Sequence, residues 1–219
     1  MIKEILQPDI VGLSFGDDYC ESAPGFENTN VIWTLDPHYH SGYKRHALSF
    51  NKVLKGNENV FEIGCGSGNL SYFIRQIYPN ITYVTIDINA TTPHSPYIKK
   101  DTHFTAYTDR PYKIVKEDKT LLFDYILSFE HFEHIDPSRL DIFFQNIKNH
   151  CHGNTKIIAT ASTQIVPPHV SVFDKKTWSE IIERNGFQML DEVYLTPENC
   201  PPNFPFSETL ELIFKLKNA

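Results

Sequence analysis

The stretch VFEIGCGSGN, residues 60–69, sets a short apolar strand against a glycine-rich turn and the first residue of a helical pattern. Val60, Phe61 and Ile63 suit a strand covered on both faces. Gly64 and Gly66 permit a tight turn that a ligand can approach closely. Gly68 lets the following helix pack near and present its amides. A GxGxG run alone is weak evidence and also serves as a plain structural turn. A strand before it and a helix after it make it much stronger. No lysine followed by serine or threonine is present, so a P-loop and ATP hydrolysis are not expected.

Working outward, NLSYFIRQIY (69–78) reads as a helix ended by Pro79, and TYVTID (82–87) as a second strand. YIKKD (97–101) is a candidate third strand, with an undefined crossover through residue 120. LLFDYILSF (121–129) is almost continuously apolar, as in a buried parallel strand. PSRLDIFFQNIKNHC (137–151) supplies a helix with Pro137 near its first turn. TKIIATAS (155–162) is another strand, and DKKTWSEIIERNG (174–186) a helix capped by Asp174 and left through Gly186. FQMLDEVYL (187–195) and TLELIFKLK (209–217) read as two final strands, the last as an antiparallel edge. Strands alternating with helices predict an α/β, three-layer, Rossmann-like fold with a mostly parallel sheet. One domain over residues 1–219 is expected, with 1–50 as an N-terminal arm or lid and 51–219 as the core.

Asp87 ends the second strand about twenty residues after the glycines, where a carboxylate can accept hydrogen bonds from both hydroxyls of a ribose. Capping of a loop is the plainer alternative. Together, glycine loop and acid point to a nucleoside-containing cofactor.

Hydrophobic content of 41% and charged content of 21% place the chain among ordinary globular proteins rather than disordered ones. No run of about 18 apolar residues predicts a membrane span, and MIKEILQPDI lacks the apolar core of a secretory signal. A cytoplasmic setting is expected. Cys20, Cys65, Cys151 and Cys200 form no CxxC pair or disulfide framework. A formal net charge of −7, with basic clusters no longer than pairs such as Lys99 and Lys100, argues against broad capture of nucleic acid.

VFEIGCGSGNLS, VTIDIN, FDYILS and the GF after a helix resemble the successive signatures of class I S-adenosylmethionine-dependent methyltransferases, from about residue 45 onward. The E-x-G-x-G-x-G form is closer to that loop than to a dinucleotide dehydrogenase. The resemblance implies a seven-stranded sheet whose last strand is reversed. It also implies S-adenosyl-L-methionine lying along Gly64, Cys65, Gly66 and Gly68, with Glu62 beneath and Asp87 on the ribose. Ile88 and Ser128 would flank the cofactor, and Asp101 would occupy the place of the adenine-contacting acid. Arg45 is a candidate for the cofactor carboxylate through a paired hydrogen bond, a surface ion pair being the alternative.

FEHFEHI, residues 129–135, packs two glutamates and two histidines behind the strongest strand. If the chain turns helical directly after Phe129, Glu130, Glu133 and His134 share one face. They then form a partial site for a divalent cation, and His169, in the loop after the next strand, is the candidate fourth ligand. Capping and ordinary hydrogen bonding are the alternatives at each position. Glu130-x-x-Glu133-His134 with a distal His169 also resembles the metal signature of the metal-dependent RNA 3'-terminal ribose 2'-O-methyltransferases. That likeness implies a cation engaging vicinal hydroxyls, with magnesium, manganese, iron and zinc all compatible with such ligands. His131, His38 and His40 are candidate bases, with Glu133 and His134 supporting catalysis. A simple EHI also occurs in small-molecule methyltransferases without metal.

The expected function is therefore O-methylation of a sugar, nucleotide sugar or polysaccharide hydroxyl, with a small-molecule or glycan acceptor, no nucleic acid, and a homo-oligomer permitted. Terminal ribose methylation of RNA, metal-independent N- or O-methylation of a small molecule, and a non-catalytic cofactor-binding subunit are the alternatives.

Overall fold

The computed structural model describes residues 2–5, 43–44, 46–66, 68–88, 97–194 and 208–217. His38, His40 and Arg45, most of the expected lid and the CPPNFPF loop at 200–206 lie outside the described residues.

Ten strands and three longer helices are described. The strands are β1 (Ile2–Ile5), β2 (Asn59–Ile63), β3 (Thr82–Asp87), β4 (His103–Thr105), β5 (Ile114–Lys116), β6 (Lys119–Thr120), β7 (Phe123–Ser128), β8 (Cys151–Ser162), β9 (Phe187–Met189) and β10 (Thr209–Leu216). The helices are α1 (Asn69–Ile77), α2 (Leu140–Asn149) and α3 (Lys175–Arg184). Seven strands form one sheet in the order β4-β3-β2-β7-β8-β10-β9. β10 runs antiparallel to both β8 and β9, while β2, β3, β4, β7 and β8 pair in parallel. This is the Rossmann-like sheet predicted from the alternating pattern. The chain departs from β2 to β3 on one side and returns to β7 on the other, so a crevice opens at their C-terminal ends.

The continuous apolar strands are explained by burial on both faces. Phe61, Ile63, Val84, Ile86, Ile126 and Ile157 pack with Phe143, Phe144 and Ile147 of α2 and with Trp178, Ile181 and Ile182 of α3. Val60, Tyr83, Leu127, Ile158 and Ile213 pack on the other face, with Ala47, Phe50 and Leu54 and with Leu70, Phe73 and Ile74 of α1. Each such apolar side chain, fully buried, contributes ~1.5–3 kcal/mol. Asp174 caps α3 as expected, its Oδ1 accepting from the Thr177 N–H at 2.7 Å.

Three expectations are corrected. YIKKD is not a strand: Lys100–Thr102 form a 3-10 turn and β4 begins at His103, whose Nδ1 meets Thr85 Oγ1 at 2.9 Å. FQMLDEVYL yields only the three residues of β9. The last strand, β10, is interior, and β9 is the edge. The undefined crossover contains a hairpin, β5–β6, that joins β1 in a separate three-stranded sheet. Its two-residue turn, Glu117 and Asp118, has positive φ at both positions (53° and 61°), as a hairpin of this kind demands. Without Asn-Gly or Asp-Gly, the turn carried no signal.

Candidate active site

The glycine loop leaves β2 at the crevice. The Gly64 N–H donates to Ile86 O at 2.9 Å, tying the loop to β3. Gly66 N–H donates to Asp87 Oδ2 at 2.7 Å, so the acid closing β3 is aimed at the loop. A Cβ on Gly66 would meet nothing within 4 Å, which leaves this side of the loop open to a ligand. Gly64 is confined instead: φ is +72°, and a Cβ would lie 2.4 Å from the His131 ring.

Glu62 is buried beneath the loop and accepts from the Tyr83 hydroxyl at 3.0 Å. Burial pushes its pKa up to about 8, against the opposing pull of Tyr83 and Arg75, with the Asp87 charge adding to the rise. Cys65 is buried, its thiol pushed well up by desolvation and the neighbouring acids. Ser128, at the end of β7, donates from Oγ to Ile63 O at 3.0 Å and joins the two strands that flank the crevice. Ile88 follows Asp87, half-buried. These residues are brought together. Asp101 is not: it precedes β4, whose C-terminal residue Thr105 is the one level with Asp87. Its side chain is exposed and lies 3.6 Å from Lys99 Nζ.

Beyond Ser128 the chain turns at once, as the spacing of the carboxylates required, but through a left-handed residue and a 3-10 helix rather than an α-helix. Glu130 has φ +50°, and its N–H donates to Thr160 Oγ1 at 2.9 Å. Phe132–His134 form the 3-10 helix. Glu133, His134 and His169 each offer a ligand atom, all within 4.8 Å of one another. Glu130 stands outside that group, though its carboxyl senses His169.

Glu133 is 0% exposed, and neither of its carboxylate oxygens has a hydrogen-bond partner. Burial and the adjacent Glu130 push its pKa up to about 8; the amides of Glu133 and Ser162 oppose this without reaching bonding geometry. A buried carboxylate left so is costly unless a cation or proton compensates it. His134 is lowered to about 4, first by burial and then by His169. His169 Nδ1 lies 2.8 Å from Gln164 O. Donation to that carbonyl leaves Nε2 with its lone pair, the arrangement common in metal-ligating histidines. The Val170 and Ser171 amides donate to Glu133 O at 2.8 and 2.9 Å and lock the two loops together. Carboxylate and imidazole at this spacing could hold a divalent cation.

His131 lies between this cluster and the loop. Its ring faces Gly64, its centroid is 6.5 Å from that of His134, and its Nε2 lies 2.9 Å from Thr108 Oγ1. Burial, with His134 adding, lowers its pKa to about 3. The ring is therefore neutral near pH 7 and a weak proton acceptor.

Several contributors were not foreseen. Asn146 on α2 donates from Nδ2 to the carbonyls of Thr108 and Arg110 at 2.9 and 2.7 Å, and its Oδ1 accepts from Tyr112 N–H at 3.3 Å. His150 Nε2 accepts from Ile114 N–H at 2.9 Å. Together they clamp the crossover that carries Thr108 to His131. The available signal was a polar residue among Phe143 and Ile147 on the buried face of a helix. His46 is buried against Phe50 and, edge-on at 4.5 Å, Phe129. Phe173, half-buried, packs on Trp178 at 5.2 Å against the edge of the core.

A family model described as a methyltransferase domain matches residues 38–192. A search of curated proteins found no significant match. Among solved structures, the PH0226 protein of Pyrococcus horikoshii OT3 is similar with a TM-score of 0.64 and 15% identity, over 94% of this chain and 100% of that one. An S-adenosylmethionine-dependent methyltransferase of Clostridium acetobutylicum matches with a TM-score of 0.62 and 12% identity, over 88% and 99%. A TehB-like methyltransferase of Corynebacterium glutamicum matches with 0.59 and 15%, over 79% and 88%. These identities speak to fold, and the fold they share is the sheet and crevice described above. With the family model covering more than half of its length, the chain belongs to the methyltransferase domain family and is an S-adenosylmethionine-dependent methyltransferase.

Proposed function

We propose that the enzyme methylates a hydroxyl of a sugar, nucleotide sugar or polysaccharide, with the acceptor bound at a divalent cation held by Glu133, His134 and His169 and flanked by Glu130. The observation that carries this reading is the Glu133 carboxylate, wholly buried with both oxygens unpartnered beside two imidazoles. The net charge of −7 favours a neutral glycan over RNA as the source of the hydroxyl.

Gly64–Gly68 would hold the donor on the open side of Gly66, and Asp87 would take its ribose hydroxyls. Glu62 sits beneath, and its high pKa lets it carry a proton until a positive charge arrives above it. When bound, the donor supplies a sulfonium methyl for in-line displacement, and the cation lowers the pKa of a coordinated hydroxyl. His131 packs behind Gly64 and excludes water from the space between loop and cluster. Glu133 and His134 orient the acceptor, and His38 or His40 takes the hydroxyl proton.

Metal analysis of the purified protein, with calorimetric binding of manganese and of the demethylated cofactor, tests this. The expected result is near-stoichiometric metal that Glu133→Ala loses while cofactor binding persists. Full transfer to a saccharide in chelator, with no bound metal, would remove the cation from the reading.

A further inference from the structure

We infer that the loop after β8, residues 163–170, is an acceptor-recognition lip, and that the acceptor carries an apolar group beside the hydroxyl that is methylated. This rests on the proposal that the acceptor binds at Glu133, His134 and His169.

Seven large hydrophobic side chains are exposed among the described residues, and three of them fall within this one loop: Ile165 at 89%, Val166 at 44% and Val170 at 52%. Scattered exposed apolar residues need no explanation, but a cluster beside a candidate site does.

The loop is held firmly. Thr163 N–H donates to Glu208 O at 2.7 Å and Gln164 N–H to Ser162 Oγ at 3.2 Å. His169 N–H closes back on Val166 O at 2.8 Å, and Val170 N–H is bound to Glu133. Pro167 and Pro168 fix two further φ angles. A tethered backbone thus holds out three apolar side chains, Ile165 almost wholly exposed and Val166 and Val170 about half exposed.

His169 lies between Val166 and Val170 in the chain, its N–H bonded to Val166 O and the next N–H to Glu133 O. The apolar residues of the loop are thereby tied to the cluster, and we place the outer part of an acceptor held at His134 and His169 against Ile165, Val166 and Val170. The partner that fits both surfaces is amphiphilic: hydroxyls at the cluster, hydrocarbon at the lip. Glu208, bonded to Gln164 within the same loop, sets a carboxylate there and disfavours a phosphate-bearing acceptor. Among the acceptor classes proposed above, this selects a glycoside with an apolar aglycone over a nucleotide sugar.

The test is calorimetric binding to the full chain saturated with manganese and demethylated cofactor. The probes are octyl and methyl β-D-glucoside, the former below its micelle concentration, and 1,2-octanediol and 1,2-propanediol. The octyl probes should bind at least about tenfold tighter than their short counterparts. Ile165→Ser/Val166→Ser should erase most of that preference, leaving methyl glucoside affinity and Tm unchanged. A preference in the diols alone, lost in the variant, would keep the lip and remove the sugar reading. Equal binding of long and short glucosides would keep the sugar reading and overturn the lip. Binding by none of the probes, or a preference the variant does not alter, overturns the lip as well. So does a joint fall of Tm and all affinities, which would mean that the lip seats the chain's own residues 6–42 or 195–207.

Discussion

The ring of His131 fills the space that a side chain on Gly64 would need, 2.4 Å from the position of its Cβ. The loop after β7 is thereby pressed against the loop after β2, and the residues proposed to hold the acceptor are set beside those proposed to hold the donor. Alanine at position 64 combines an overpacked contact with a left-handed backbone. Each costs on the order of 1 kcal/mol or more. Gly64→Ala should weaken binding of the demethylated cofactor by about ten- to a hundredfold in calorimetry. Adding His131→Ala relieves the clash but not the strain, so about half of the loss in free energy should return. Unchanged affinity in the single variant would mean that the donor does not use this loop.

The buried titratable groups set opposite pH slopes. Burial lowers His46, His103 and His134 to about 4 and His131 to about 3, with His169 adding at His134 and His134 adding at His131. From those values up to the ordinary 6.5, the unfolded chain binds more protons, so stability rises with pH. Glu62 and Glu133 are raised to about 8, and between their ordinary 4.5 and 8 the folded chain binds more protons, so stability falls. His150, lowered by burial, and Glu130, raised by it, add to each side, so five rising contributions outweigh three falling ones below pH 6.5, and among these groups only the falling ones act above it. Thermal melts of metal-free protein should therefore peak near pH 6.5 and decline towards 8. Glu133→Gln should flatten part of the decline. A melting temperature still climbing at pH 8 would contradict the protonated state assigned to both glutamates.

Asn146 reaches two carbonyls and an amide of the crossover at once. Asn146→Leu keeps the volume and leaves Thr108 O, Arg110 O and the Tyr112 N–H without their partner. At about 1–3 kcal/mol for a buried unsatisfied group, the variant should lose at least ~2 kcal/mol in urea denaturation. Thr108→Val, which removes only the hydroxyl facing His131, should cost less stability and act mainly on cofactor affinity.

The sheet was legible because its strands announce themselves locally. Val60–Ile63 and Ile126–Ser128 are buried on both faces, and a mostly apolar run between turn formers has few other uses. The crevice was legible for the same reason, since Gly64 and Asp87 each sit at a strand end that can be located. β4 was misplaced because its register depends on a side-chain contact, Thr85 to His103, that no periodicity encodes. The spacing of Glu133 and His134 announced the cluster, but the spacing alone did not show that Glu130, at a left-handed residue before the 3-10 helix, lies at its margin, near enough for its carboxyl to sense His169. Thr108 and Asn146 were silent for a deeper reason: they act on segments 23 and 38 residues away, respectively, through hydrogen bonds that the three-dimensional path alone creates.

Asp87 and Asp101 divide the question of where the nucleoside lies. Asp87 is at the C-terminal end of β3 and bonded to Gly66; Asp101 precedes β4 and is paired with Lys99 in the open. A carboxylate that accepts two ribose hydroxyls loses charge-assisted hydrogen bonds when removed, each worth ~1.5–3 kcal/mol. An exposed ion pair such as Lys99–Asp101 contributes ~0–1 kcal/mol. Asp87→Ala should therefore lower affinity for the demethylated cofactor by at least about a hundredfold, and Asp101→Ala by less than about threefold. Both can be read by calorimetry on protein whose melting temperature has been checked. Equal losses would return Asp101 to the adenine end of the site.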